Sequence, residues 1–195
     1  MYQLSKYLAR FILFVFFRVT VCGLENIPET GAAILCSNHR FYKDLIMLNG
    51  TVPRKIRWIA KAELFRNPLF GKVLRSIGAF PVRRGSNDRN SVKTVYEILE
   101  AGEILGIFPE GTRMKDVQNK PEVKRGFVSF AINAKVPIIP VSLLYGNGPF
   151  GVGRLFSKIK IAFGEEILLD FDKKYSNVEL SEIGNNVMQR IYEVV

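Results

Sequence analysis

The chain has 195 residues, 28 Lys plus Arg against 18 Asp plus Glu, one His and a net charge of +10. With 48% hydrophobic residues, 15 Phe and only 24% charged, it is too apolar for a disordered basic tail, and its length suits one domain with its own core. The charge is concentrated: residues 54–93 hold 11 basic and 2 acidic side chains, against 5 and 3 before them and 12 and 13 after them, which points to an anionic partner.

Residues 2–21, YQLSKYLARFILFVFFRVTV, predict an N-terminal amphipathic helix. Its longest uncharged run is Phe11–Phe17, short of the roughly 20 apolar residues of a membrane span, and Thr20-Val21-Cys22 does not form a signal-peptide cleavage site. Wound at about 100° per residue, Lys6, Arg10 and Arg18 share an arc of roughly 120° opposite a wide Phe/Leu/Ile/Val face. That is the pattern of a helix lying in a bilayer surface; a helix packed on the protein's own core is the alternative. A strand at Val19–Gly23, a Pro/Gly turn at Ile27–Gly31 and a second strand at Ala32–Cys36 follow. A helix entered near Asp44 covers Leu45–Leu48. Strands at Arg57–Ala60 and Ala79–Val82 flank a basic amphipathic stretch, Glu63–Gly78, in which Arg66, Lys72 and Arg75 alternate with Leu, Phe, Val and Ile. Then come a helix over Asn87–Glu100 stopped by Gly102, a strand at Ile104–Phe108 and a helix at Phe127–Ala134. Strands at Pro137–Leu144 and Lys158–Phe163 and a final helix at Val178–Val195 complete the chain.

Apolar strands alternating with helices imply an α/β fold: a mixed, largely parallel central sheet flanked by helices and preceded by the N-terminal membrane-interface helix. We divide the chain into an anchoring helix, residues 1–20, and a single domain, residues 21–195. Functional loops are expected at the carboxyl ends of the strands, where Ser37–Asp44, Arg83–Gly85 and Pro109–Arg113 fall. Cys22 and Cys36 lack metal-knuckle spacing and are expected as buried free thiols.

His39 is the chain's one histidine, so imidazole proton transfer at neutral pH would fall to it. Asp44, five residues on, would lie about 140° away on a regular helix. The two can meet only if His39 sits in a turn and Asp44 on the helix after it, where the carboxylate would fix the ring's tautomer. An isolated His with a capping Asp is the plainer alternative. Pro109-Glu110-Gly111-Thr112-Arg113 at a strand end brings together a hydroxyl, a flexible backbone and a guanidinium suited to a phosphate monoester, with Glu110 free to bond a glycerol hydroxyl or to hold Arg113. Gly78-Ala79-Phe80-Pro81-Val82-Arg83-Arg84 delivers arginine at another strand end, and Val136–Val141, VPIIPV, reads as scaffold.

Taken in order, NH-x4-D, G-x-F-x-V-x-R, FPEGTR and VPIIPV resemble the four motifs of the glycerolipid acyltransferase superfamily, most closely its bacterial 1-acylglycerol-3-phosphate acyltransferases. The resemblance covers roughly residues 19–165, and Lys124-Arg125-Gly126 is similar to the family's Lys-x-Gly. It implies acyl transfer from acyl-CoA or acyl-carrier protein to the free sn-2 hydroxyl of lysophosphatidate, giving phosphatidate. His39 would be the general base, Asp44 its orienting partner, and Arg84, Glu110, Gly111, Thr112, Arg113 and Lys124 the acceptor-binding residues. It further implies no acyl-enzyme, no metal and no redox cofactor. Phe41 stands where many phosphatidate-forming members have Ser, and Lys43 beside Asp44 is expected to lower that carboxylate's basicity. The His39-Arg40 pair is also similar to the superfamily's glycerol-3-phosphate and dihydroxyacetone-phosphate acyltransferases, so another lysophospholipid or glycerol 3-phosphate is an alternative acceptor.

A thioesterase would use the same dyad on water, but Thr112 and Arg113 would then lack a purpose. A non-enzymatic nucleic-acid binder is disfavoured, because the cations are interleaved with Leu and Phe at helical spacing and no nucleic-acid motif is present. The expected partners are thus lysophosphatidate, the acyl donor and an anionic membrane surface, and the expected location is the cytoplasmic face of the cell membrane, peripheral or monotopic.

Overall fold

A computed structural model of the chain describes residues 2–83, 88–113, 123–146 and 158–194. Seven strands form one sheet: β1 (Arg18–Cys22), β2 (Ala33–Ser37), β3 (Ile56–Lys61), β4 (Ala79–Val82), β5 (Ile104–Ile107), β6 (Ile138–Tyr145) and β7 (Lys158–Phe163). Their order is β1-β7-β6-β2-β5-β3-β4, and every neighbouring pair is parallel except β6 with β7. The six helices described are α1 (Tyr2–Phe16), α2 (Asp44–Thr51), α3 (Pro68–Ser76), α4 (Arg89–Glu100), α5 (Gly126–Ala134) and α6 (Asn177–Glu193). The expected mixed, largely parallel α/β sheet flanked by helices is what the chain forms.

The sheet divides the core by the strand period of two. In β2 all five residues are buried. Ala33 and Leu35 face a cluster with Leu13, Met47, Leu48 and Leu74 from α1, α2 and α3. Ile34 and Cys36 face the opposite cluster with Val95, Val128 and Ile191 from α4, α5 and α6. A strand buried on both faces has no solvated side, which is why β2 reads as an unbroken apolar run. Pro140 is tolerated inside β6 because Ile138 exchanges both backbone bonds with Ile167, turning the Pro140 nitrogen to the same side, past the end of β7. There its carbonyl accepts from the Gly164 N–H, and no ladder donor is missed.

The N-terminal helix ends at Phe16, short of the expected residue 20, because Arg18–Cys22 pairs with β7 through its β-branched residues. Arg18 therefore belongs to the sheet and not to the helix's cationic arc. The two readings of α1 both hold in part: Ala9 and Leu13 are buried, whereas Leu4, Tyr7 and Phe11 are 74%, 67% and 60% exposed. Among the described residues no helix is long and apolar enough to cross a membrane. Within the basic stretch, α3 begins on an Asn67 cap with Pro68 in its first turn and leaves Leu69 and Val73 exposed. Both cysteines are free, but Cys22 is exposed on the edge strand β1, contrary to expectation; Cys36 is buried.

Candidate active site

β2 and β5 are parallel neighbours, with Cys36 opposite Ile107, so their carboxyl ends bring Asn38-His39 beside Phe108–Arg113. Asn38 continues the pairing where β2 ends: its side-chain amide donates to the Leu143 carbonyl at 2.9 Å and accepts from the Leu143 N–H at 2.7 Å. The strand end is thereby fixed on β6 before the chain turns, and His39 leaves it at a set angle.

His39 lies in the turn and Asp44 on the first residue of α2, the arrangement in which the two can meet. His39 Nδ1 is 2.9 Å from Asp44 Oδ2. The Asp44 carboxylate is fully buried, and Oδ2 also accepts from the backbone N–H groups of Arg40 (2.6 Å) and Phe41 (2.8 Å). The Tyr145 hydroxyl donates to Oδ1 at 2.5 Å. With Nδ1–H directed at a carboxylate, the ring's basic nitrogen is Nε2. The imidazole stacks on Phe108 with centroids 4.0 Å apart, and Phe108 stacks on Trp58 at 5.0 Å. Gly106 makes room for that stack, since a Cβ there would lie 2.4 Å from the Trp58 ring.

The third motif forms a tight turn in which the Gly111 N–H donates to the Phe108 carbonyl at 2.9 Å, with Pro109 at its first central position and Gly111 at φ +65°. This turn aims Glu110 inward. Glu110 is 3% exposed; one oxygen accepts from the His39 N–H at 2.8 Å and the other from the Tyr192 hydroxyl on α6 at 3.0 Å. Burial pushes its pKa up to about 7, against the pull of these two donors and of Arg40. Glu110 was expected to bond the acceptor or hold Arg113; its two oxygens here brace the backbone of His39 and hold the Tyr192 hydroxyl. Arg113 instead lies over the Tyr42 ring, its guanidinium carbon 3.7 Å from the centroid.

A cavity of about 540 Å³ opens beside these groups, within the range of small-molecule sites. His39, Gly111, Thr112, Arg113, Tyr42 and Lys61 line it, and apolar side chains from α1, α2 and α3 supply most of the rest, Ile12, Ile46 and Val73 among them. His39 Nε2 has no hydrogen-bond partner among the described residues. The site therefore joins an imidazole, a guanidinium and an apolar chamber. Lys124 is exposed and donates its backbone N–H to the Pro109 carbonyl, which places it beside the turn but not on the cavity wall. Arg84 lies outside the described residues.

The departures in the first motif are absorbed away from the cavity. The Lys43 ammonium sits 4.6–5.2 Å from the centroids of Tyr145, Phe41 and Phe17 and makes no ion pair with Asp44 among the described residues. Phe41 packs edge-on against Tyr145, so Tyr42, not Phe41, meets whatever the cavity holds. Cys36 is no nucleophile candidate: burial pushes its thiol pKa well up, and its side chain lies on the far face of the sheet.

A family model described as acyltransferase matches residues 18–144. The chain belongs to the acyltransferase family. As a family member it is 34% identical, over its whole length and 96% of the relative's, to the 1-acyl-sn-glycerol-3-phosphate acyltransferase of Bacillus subtilis. It is 31% identical to the enzyme of the same name from Streptococcus pneumoniae, over 79% of this chain and 57% of that one. The crystal structure of the 1-acyl-sn-glycerophosphate acyltransferase from Thermotoga maritima superposes with a TM-score of 0.74 at 26% identity, covering 98% of this chain and 78% of that one. The acyltransferase fold and enzyme class expected from the motifs are thus established for this chain.

Proposed function

We propose that this acyltransferase moves an acyl group from acyl-CoA or acyl-carrier protein to the sn-2 hydroxyl of 1-acylglycerol 3-phosphate, giving phosphatidate. The observation that carries the reading is the junction itself. A histidine with its carboxylate partner and an open Nε2 stands between an apolar chamber and a guanidinium, in a chain whose relatives bear that activity in their names.

His39 Nε2 takes the proton of the acceptor hydroxyl as its oxygen attacks the thioester carbonyl. The C–O bond forms, the C–S bond breaks, and the imidazolium returns the proton to the departing thiolate. Asp44 holds the ring and offsets the imidazolium charge. Arg113, with the backbone and hydroxyl of Gly111 and Thr112, takes the acceptor phosphate; Lys124, beside the turn, adds positive charge. No protein nucleophile, metal or redox cofactor enters this scheme.

The exposed apolar residues of α1 and α3 belong to the two helices that also wall the cavity. Those faces, with Arg66, Lys72 and Arg75 among them, would rest in the cytoplasmic surface of the membrane and admit a lysolipid sideways. Bulky apolar exposure on two adjacent elements is unusual for a surface that meets only water.

With lysophosphatidate as acceptor, Arg113→Gln should raise KM about 10- to 100-fold, the worth of a charge-assisted phosphate contact, and change kcat far less. Monoacylglycerol, which lacks the phosphate, should be equally poor with both proteins. An unchanged KM would overturn the phosphate assignment.

A further inference from the structure

We propose that Tyr145, at the end of β6, is a positioning residue of the His39–Asp44 dyad: its hydroxyl holds Asp44 Oδ1 so that Oδ2 stays on the imidazole with its charge partly withdrawn. The inference rests on the reading of His39 as base and Asp44 as its partner. Nothing in the motif pattern marks this tyrosine, which is 101 residues from Asp44 in sequence and 2.5 Å from it in space.

Three observations converge on the role. First, both groups are buried, Asp44 at 0% and Tyr145 at 3% exposure, and among the described residues no other group donates to that oxygen. Second, burial and the Asp44 charge push the Tyr145 pKa up, so the phenol stays protonated and remains a donor throughout the working pH range. Third, the Lys43 ammonium stands 4.6 Å from the Tyr145 centroid and Phe41 packs against the ring edge. The residues that depart from the usual first motif therefore hold the tyrosine in place, and the nearby cation strengthens its O–H as a donor.

A carboxylate that accepts one more hydrogen bond pulls less strongly on the imidazole proton. Without the Tyr145 hydroxyl, Asp44 would favour the imidazolium more, and His39 would hold its proton to higher pH. As a base it would then be less available near neutrality. Among the described residues, the other charged and titratable groups around the dyad are Arg40, Tyr42 and Lys43 in the turn before α2, Lys61 at the end of β3, Glu110 and Arg113 after β5 and Tyr192 on α6. None of them is altered by removing one oxygen from Tyr145.

Because His39 is the chain's one histidine, its titration can be followed in the intact protein by NMR after ¹⁵N-histidine labelling. In Tyr145→Phe the His39 midpoint is expected to rise by about 0.5–1 pH unit. The acid limb of kcat/KM should move up by the same amount, and kcat/KM on that limb, well below the midpoint, should fall about 3- to 10-fold with the acceptor KM unchanged. In an Asp44→Asn background, Tyr145→Phe should shift neither quantity. An unchanged or lowered His39 midpoint in folded Tyr145→Phe overturns the proposal, as does an equal shift in the Asp44→Asn background. Failure of the underlying reading would look different, because His39→Ala would then transfer acyl groups at the parent rate whatever Tyr145 does.

Discussion

His39→Ala is expected to lower kcat for acyl transfer by about 10²- to 10⁴-fold, the range for removal of a general base, while the protein stays folded. The ring is partly exposed at the cavity, at 15% of its side chain, and its removal leaves Phe108 stacked on Trp58 beneath it. No second imidazole exists to substitute, because the chain has one histidine. The measurement is the initial rate of thiol release in the presence of acceptor, paired with thermal denaturation. Full transfer by a folded His39→Ala protein would remove the base from the scheme.

Asp44→Asn is expected to lower kcat over a similar span, for a different reason and with a cost in stability. Four donors converge on this carboxylate: the imidazole, two backbone N–H groups and the Tyr145 hydroxyl. An asparagine offers one accepting oxygen and sets an NH₂ group against donors on the other side. With the NH₂ in the place of Oδ2, the imidazole and the Arg40 and Phe41 N–H groups lose their acceptor together, freeing the wrong tautomer and the turn; with it in the place of Oδ1, the Tyr145 hydroxyl loses its acceptor. Leaving a buried donor unsatisfied costs about 1–3 kcal/mol, so Asp44→Asn should melt below the parent whereas His39→Ala should melt near it. Rates combined with melting curves separate the two variants. Parent-like transfer by Asp44→Asn would show that the carboxylate only anchors the turn before α2.

These expectations draw unequally on what the sequence made legible. Strand β4 was readable to the residue, and β2 and β6 nearly so, because buried parallel strands declare themselves as apolar runs bounded by turn residues. The His39–Asp44 pair was readable because both partners sit on one short turn, where a five-residue separation limits the possible geometries. The end of α1 was not: Arg18 continues the cationic pattern of the helix, and only pairing with β7 makes it a strand. The surroundings of Glu110 were hidden for a similar reason. Its turn was plain, but the partners that pull it inward are a backbone N–H 71 residues away and a tyrosine 82 residues away. Tyr145 and Tyr192 carry no local signal, although each is the one aromatic in its element, because only the packing of β6 and α6 against the strand ends brings their hydroxyls to the site.

The acyltransferase family sets the reaction class, and the proposed mechanism sets a stricter condition, namely that the thioester is consumed only by attack of an acceptor oxygen activated by His39. The direct test incubates the purified protein with acyl-CoA, or with acyl-carrier protein, in the presence and absence of lysophosphatidate, and weighs the lipid products and the protein itself. The scheme predicts phosphatidate formed one for one with released thiol, no turnover without acceptor, and an unmodified protein mass. Free fatty acid released at the same rate without lysophosphatidate, or an acyl adduct on the chain, would contradict it.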